Sequence, residues 1–237
     1  MRDRLIVALD TDDGEEIDWL SGTLMDTVRW FKIGFQAFSA LGTEAFPWFD
    51  QNGYKAFVDL KFHDIPNTVA RDVSTMTKHG ANMINMHASG GLIMMKTARA
   101  RADEVSAERD IPPPILLGVT ILTSIEETNF RLSFASARTL SEQVVYLAQL
   151  AQEAGLDGVV ASPLEIESIR KACGKDFVIV TPGIRPAWAS AGDQRRITTP
   201  AEAIQRGADY IVVGRPIIDA EDPLEATEMI LEEMKEA

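Results

Sequence analysis

The 237-residue chain has one cysteine, three histidines and no long apolar run, and Lys and Arg together number 23 against 36 Asp and Glu. Each shortage excludes something. With Cys173 alone, no intrachain disulfide can form, so a reducing cytoplasm is the expected compartment and the thiol reads as packed and inert. Neither His63 nor His87 has a partner at metal-ligand spacing, which argues against a zinc site and leaves them structural roles. The formal charge of -13 opposes a sequence-independent grip on nucleic acid or on an anionic membrane, because both need a basic face. The start, MRDRLIVALD, meets an aspartate too early for a signal peptide, and no segment approaches the length of a membrane span. A small anionic ligand stays open, since it needs only a few cations and helix N-termini.

What is present alternates. RLIVAL at Arg4 to Leu9 reads as a strand buried on both sides, followed by a helix with Ile17, Leu20, Leu24 and Val28 on one face. Further strands are expected at Trp30 to Gly34, Ala56 to Leu60, Met83 to Met86, ILLGVTIL from Ile115, Gly158 to Ala161, Val178 to Thr181 and Tyr210 to Val213. Between them lie helical patterns, one running from Phe35 to Gln51 with a bend near Pro47, and a polar stretch from Thr123 to Thr139 that reads as a long loop or short helix. With no linker or composition break, eight strand and helix pairs predict a single-domain (β/α)8 barrel spanning residues 1 to 237; an open doubly wound sheet is the other arrangement with this alternation.

In a barrel the chemistry sits where strands end, and those positions are rich in charge: Asp10, Lys32, Asp59 and Lys61. FVDLKFHDIPNTV, from Phe57, is the centre of the pattern. Alternation puts Asp59 and Lys61 on one face of the third strand, and Lys32 on the neighbouring strand, about 4.8 Å away, can face them. At an effective dielectric near 20, charges about 4 Å apart interact by roughly 4 kcal/mol, so Asp59 and Asp64 beside Lys61 are expected to hold it as ammonium. That favours proton donation to a carbanion over Schiff-base chemistry. From the residues alone, a charge network that only closes the barrel remains open.

Across the mouth, TPGIRP from Thr181 and VGRP from Val213 place Arg185 and Arg215 beyond strands seven and eight, where barrels bind phosphate. Gly183 and Gly214 allow close backbone approach to an oxyanion, and both arginines offer paired donors. The polar stretch ASAGDQRRI, from Ala189, could close over a ligand with Gln194 in contact, while Arg195 and Arg196 read as solvated charges.

DLKFHDIPNTV, together with ALD at Ala8, FKIG at Phe31, VTILTS at Val119, TPGIRP with Gln194 downstream and VGRPI at Val213, resembles the orotidine 5'-phosphate decarboxylase family along the whole chain. The Asp-x-Lys-x-x-Asp core is shared with sugar-phosphate decarboxylases and synthases that use a divalent metal, and the Pro-Asn-Thr extension with the glutamine loop favours the pyrimidine nucleotide. The resemblance implies conversion of orotidine monophosphate to uridine monophosphate and carbon dioxide, the last step of de novo pyrimidine synthesis, with neither metal nor organic cofactor. It implies Lys61 as proton donor, Asp59 beside the departing carboxylate, Lys32 paired to Asp59 and bonded to the ribose, and Asp10 also on the ribose. Thr123 and Ser124 would approach the pyrimidine; Arg185, Arg215 and the Gly214 backbone would hold phosphate, with Pro182 among the substrate contacts and Gln194 on the closing loop. Asp64 and Thr68 would enter the neighbouring active site of a homodimer. A catalytically silent nucleotide-binding barrel is the alternative from another class.

Overall fold

The computed structural model describes residues 1–189 and 198–237. The strands are β1 (Leu5–Leu9), β2 (Trp30–Ile33), β3 (Lys55–Phe62), β4 (Met83–His87), β5 (Ile115–Val119), β6 (Gly158–Val160), β7 (Val178–Thr181) and β8 (Tyr210–Val213). Around them run α1 (Gly14–Leu24), α2 (Phe35–Leu41), α3 (Ala45–Gln51), α4 (Pro66–Lys78), α5 (Leu92–Arg109), α6 (Glu127–Phe134), α7 (Leu140–Glu153), α8 (Ile166–Cys173), α9 (Pro200–Gln205), α10 (Arg215–Ile218) and α11 (Pro223–Glu233). Each strand pairs in parallel with the next, and β8 returns to β1 with Leu5 opposite Ile211, closing a (β/α)8 barrel. That closure disposes of the open-sheet alternative.

Period-two alternation within each strand divides the core in two. Ile6, Ala8, Phe57, Met83, Leu117 and Val212 fill the barrel interior, whereas Leu5, Val7, Leu9, Val58, Ile84 and Met86 face outward against the helices. One position tolerates no side chain: a Cβ on Gly158 would lie 2.1 Å from the Val178 carbonyl oxygen.

The N-terminal end of the barrel is closed by a repeated device. Asn82, Asp157 and Asp209 immediately precede β4, β6 and β8, and each accepts the backbone N–H of a residue in the preceding strand: Ala56 at 2.8 Å, Leu116 at 2.7 Å and Ile179 at 2.7 Å. Arg99 pairs with Asp157 at 2.9 Å, and Arg170 pairs with Asp209. Backbone donors at the rim, which the short strands leave over, are thereby satisfied.

Several boundaries differ from expectation. The bend after β2 is a 3-10 turn at Gly42–Glu44, not at Pro47, which sits in the first turn of α3, where a missing N–H costs nothing. Val28 lies beyond α1 but is still fully buried. β5 stops at Val119, and the polar stretch after it contains α6. β3 continues two residues past Leu60, which matters for the site.

Candidate active site

The charged residues expected at the strand ends converge. Lys32 Nζ lies 2.7 Å from Asp10 Oδ1 and 3.3 Å from Asp59 Oδ2, and Lys61 Nζ lies 2.8 Å from Asp59 Oδ1. The result is a chain Asp10, Lys32, Asp59, Lys61 of alternating sign across the mouth. Lys32 and Asp59 are its buried centre, while Asp10 is exposed and Lys61 half-buried. Burial by itself would push the Asp59 carboxyl up, but the Lys32 and Lys61 ammoniums, with hydrogen bonds from Lys61 and Asn85, hold it below the usual carboxylate range. For Lys32, burial opposes the charge, and the Asp59 and Asp10 carboxylates outweigh it, raising its pKa above the ordinary lysine value.

Two glycines make room for this pairing. A Cβ on Gly34 would sit 3.0 Å from Lys32 Nζ and 3.4 Å from Asp10 Oδ1; one on Gly214 would sit 3.3 Å from Asp10 Oδ2. The glycines therefore let the backbone of β2 and β8 end against the charges.

The path of β3 departs from a regular strand. Val58 is opposite Ile84 and Phe62 is opposite Met86, so four steps along β3 match two along β4. This bulge contains Asp59, Leu60 and Lys61, and Lys61 has φ of 50°, a left-handed conformation that costs a non-glycine residue about 1–2 kcal/mol. Asn85 lies opposite. Its Oδ1 accepts the Lys61 backbone N–H at 2.8 Å, and its Nδ2 donates to Asp59 Oδ1 at 2.6 Å. Sequence reading missed Asn85, although a signal was available: it is the one amide in the apolar run MINMH and shares the interior parity of Met83.

The charges form a wall shared by two lobes of one cavity. The first lobe, about 400 Å³, reaches from Asp10 to Pro182, Gly183, Arg185, Gly214 and Arg215; the second, about 370 Å³, is more apolar and is lined by Phe57, Val119, Ile121, Thr123, Ser124 and Val160. Lys32, Asp59, Lys61 and Pro182 border both. In the first lobe Arg185 is buried, its backbone N–H bonded to the Thr198 carbonyl at 3.0 Å, and Gly183 takes φ of 78°. Arg215 begins α10 directly after Gly214.

Asp64 corrects the expected arrangement. It does not stand beside Lys61 within the chain; it is exposed, and its Oδ1 accepts the Ile65 N–H at 2.6 Å. Pro66 starts α4 at once, and neither Asp64 nor Thr68 is among the residues that line the chain's own cavity. His87 is half-buried and contacts the ring of His63, with centroids 5.1 Å apart; burial, then His63 and Lys61, lower its pKa. Among the described residues, no three His, Cys, Asp or Glu side chains gather in a way that could hold a metal ion. Gln194, Arg195 and Arg196 lie outside the described residues.

Fold and site define a class: a (β/α)8 barrel that carries a buried ion-paired array, flanked by arginine loops, at the C-terminal ends of its strands. The family model for "Orotidine 5'-phosphate decarboxylase / HUMPS family" matches residues 3–230, and the chain belongs to that family. It is 47% identical to the orotidine 5'-phosphate decarboxylase of Moorella thermoacetica over 99% of this chain and 93% of that protein. With the enzyme of the same name from Pelobacter propionicus it shares 49% identity over 98% and 95%. The crystal structure of orotidine 5'-phosphate decarboxylase from Lactobacillus acidophilus superposes with a TM-score of 0.84 at 39% identity, covering 98% of this chain and 99% of that one.

Proposed function

We propose that this protein is a carboxy-lyase that converts orotidine 5'-monophosphate to uridine 5'-monophosphate and carbon dioxide in pyrimidine biosynthesis, with no metal or organic cofactor. The observation that carries this reading is the ion-paired chain Asp10, Lys32, Asp59, Lys61, set between an arginine-lined lobe and a more apolar lobe. The two lobes suit a nucleotide laid across the mouth. Phosphate goes to Arg185, Arg215 and the Gly214 backbone, with Pro182 against the substrate; the ribose hydroxyls meet Asp10 and Lys32; and the pyrimidine enters the second lobe, where Thr123 and Ser124 offer hydroxyls.

The substrate carboxylate then lies beside Asp59, whose charge is maintained by both lysines. When the ring carbon–carboxylate bond breaks, the electron pair stays on the ring carbon and carbon dioxide leaves. Lys61 Nζ stabilises that developing carbanion, delivers a proton to it and is reprotonated from solvent. Energy from phosphate binding is available for a contact between the substrate and Gln194, which lies outside the described residues.

A homodimer completes the reading, with Asp64 and Thr68 entering the partner's cavity. Their position outside their own cavity supports this, as do exposed apolar residues just before α4 and on α5 and α6: Ile65 is 66% exposed, Ile93 72% and Leu132 79%. The buried, lone Cys173 and the acidic charge suit a cytoplasmic enzyme, and no described helix is long and apolar enough to cross a membrane.

The test is the ultraviolet absorbance of orotidine monophosphate mixed with purified protein, with and without EDTA, alongside Lys61→Ala. Metal-independent loss of the orotate chromophore that vanishes in the variant is expected. An unchanged spectrum with the native protein refutes the assignment, and EDTA sensitivity refutes cofactor independence.

A further inference from the structure

We propose that Asn85 is a positioning residue that holds the Lys61 ammonium and the Asp59 carboxylate in register by accepting the Lys61 backbone N–H and donating to the Asp59 carboxylate. The inference rests on the catalytic reading of Lys61 given above. Three observations meet at this one amide. The β3 bulge removes Lys61 from the regular ladder, which would leave its backbone N–H without a strand partner, and Asn85 Oδ1 accepts that N–H at 2.8 Å. The other end of the amide, Nδ2, donates at 2.6 Å to Asp59 Oδ1, the oxygen that lies 2.8 Å from Lys61 Nζ. Asn85 itself is fully buried on the central part of β4, so its amide is screened from water.

Each end of the amide is engaged by one of these contacts, and its orientation follows from them, since only an oxygen can receive the N–H and only the NH₂ can donate to a carboxylate. Lys61 occupies a left-handed backbone conformation that a lysine leaves unless its surroundings impose it. Asn85 imposes it from β4, and the lysine side chain is thereby aimed from the bulge back over Asp59. The amide carries no charge, and it lies behind the ion pair, where it aims the proton donor without itself meeting the substrate. Apolar replacement removes both bonds while retaining bulk. Replacement by aspartate retains the acceptor for Lys61 N–H but sets a second carboxylate against Asp59, until protonation restores an O–H donor.

The experiment compares native protein with Asn85→Leu and Asn85→Asp in steady-state decarboxylation, in uridine monophosphate binding by calorimetry, and in crystal structures, with melting temperatures recorded for all three. For Asn85→Leu the expected result is a fall in kcat of about 10²-fold, the scale of a displaced catalytic group. Its nucleotide dissociation constant should stay close to native, and its structure should show Lys61 Nζ withdrawn from Asp59. For Asn85→Asp, the rate relative to native should rise as pH is lowered, a recovery the leucine variant lacks. Native kcat in Asn85→Leu, Lys61 unmoved in its crystal structure, equal losses of turnover and nucleotide affinity, or no pH recovery in Asn85→Asp would each overturn the proposal. If native protein itself fails to turn over orotidine monophosphate, the functional reading fails separately, and the crystal structures still decide whether Asn85 holds Lys61. Should Asn85→Leu not fold, the pH recovery and crystal structure of Asn85→Asp decide.

Discussion

The two ends of the barrel use the same hydrogen-bonding device for different purposes. At the N-terminal end, Asn82, Asp157 and Asp209 accept backbone N–H groups from the strand before them, and Arg99 and Arg170 neutralise the two carboxylates. At the C-terminal end, Asn85 likewise accepts the N–H of Lys61, but the strand it meets is bulged and the charges beside it line a cavity. The first set satisfies a regular ladder and adds stability. The second holds an irregular one open, with two lysines and two carboxylates packed where an apolar barrel interior would be more stable. The difference shows where stability and chemistry are separated along the strand axis.

The largest expected effect tests the upper end. Lys61→Ala should lower kcat by at least about 10⁴-fold, at the top of the range for a positioned acid, because electrostatic stabilisation is lost as well. Uridine monophosphate binding and melting temperature should stay near native; a loss of folding would erase the contrast between the two ends. Gly34→Ala comes next. Its methyl group would meet Lys32 Nζ and Asp10, and a shift of that pair should reduce kcat/KM by about 10²-fold with the protein still folded, measured in the same absorbance assay.

The lower end should respond oppositely. Asp209→Ala leaves the Ile179 N–H and Arg170 without this partner, and should cost about 1–3 kcal/mol in urea unfolding while kcat of the remaining folded protein is unchanged. A large kcat change there would show that the ends are coupled. The smallest effect is the pH dependence of stability. The folded-state pKa of Asp59 is lowered, so its contribution is present above the ordinary carboxylate value of 3.8 and is lost as pH falls through the lower folded value. That of Lys32 is raised, so its contribution is full below 10.5 and is lost as pH rises through the higher folded value. Urea midpoints measured at both pH extremes should therefore lose an acid component in Asp59→Asn and an alkaline component in Lys32→Met.

Sequence alone determined the strand and helix succession, because burial on both faces demands unbroken apolar strands such as LIVAL and VIVT, and eight such units have one well-known closed solution. It also brought Asp10, Lys32, Asp59 and Lys61 to one rim, since strand-end position is a one-dimensional property. Alternation gave the right neighbour for Lys61 by the wrong route: Asp59 and Lys61 meet through a bulge, where period two does not apply. Only the tertiary structure revealed that bulge, in which the Lys61 N–H meets Asn85, 24 residues away on another strand. It also decided that Asp64 meets the Ile65 N–H and is absent from the lining of its own cavity, which charge spacing in the sequence does not register. Periodicity registers which face a residue takes; the partner it meets there is a matter of register between strands, which closure of the barrel alone establishes.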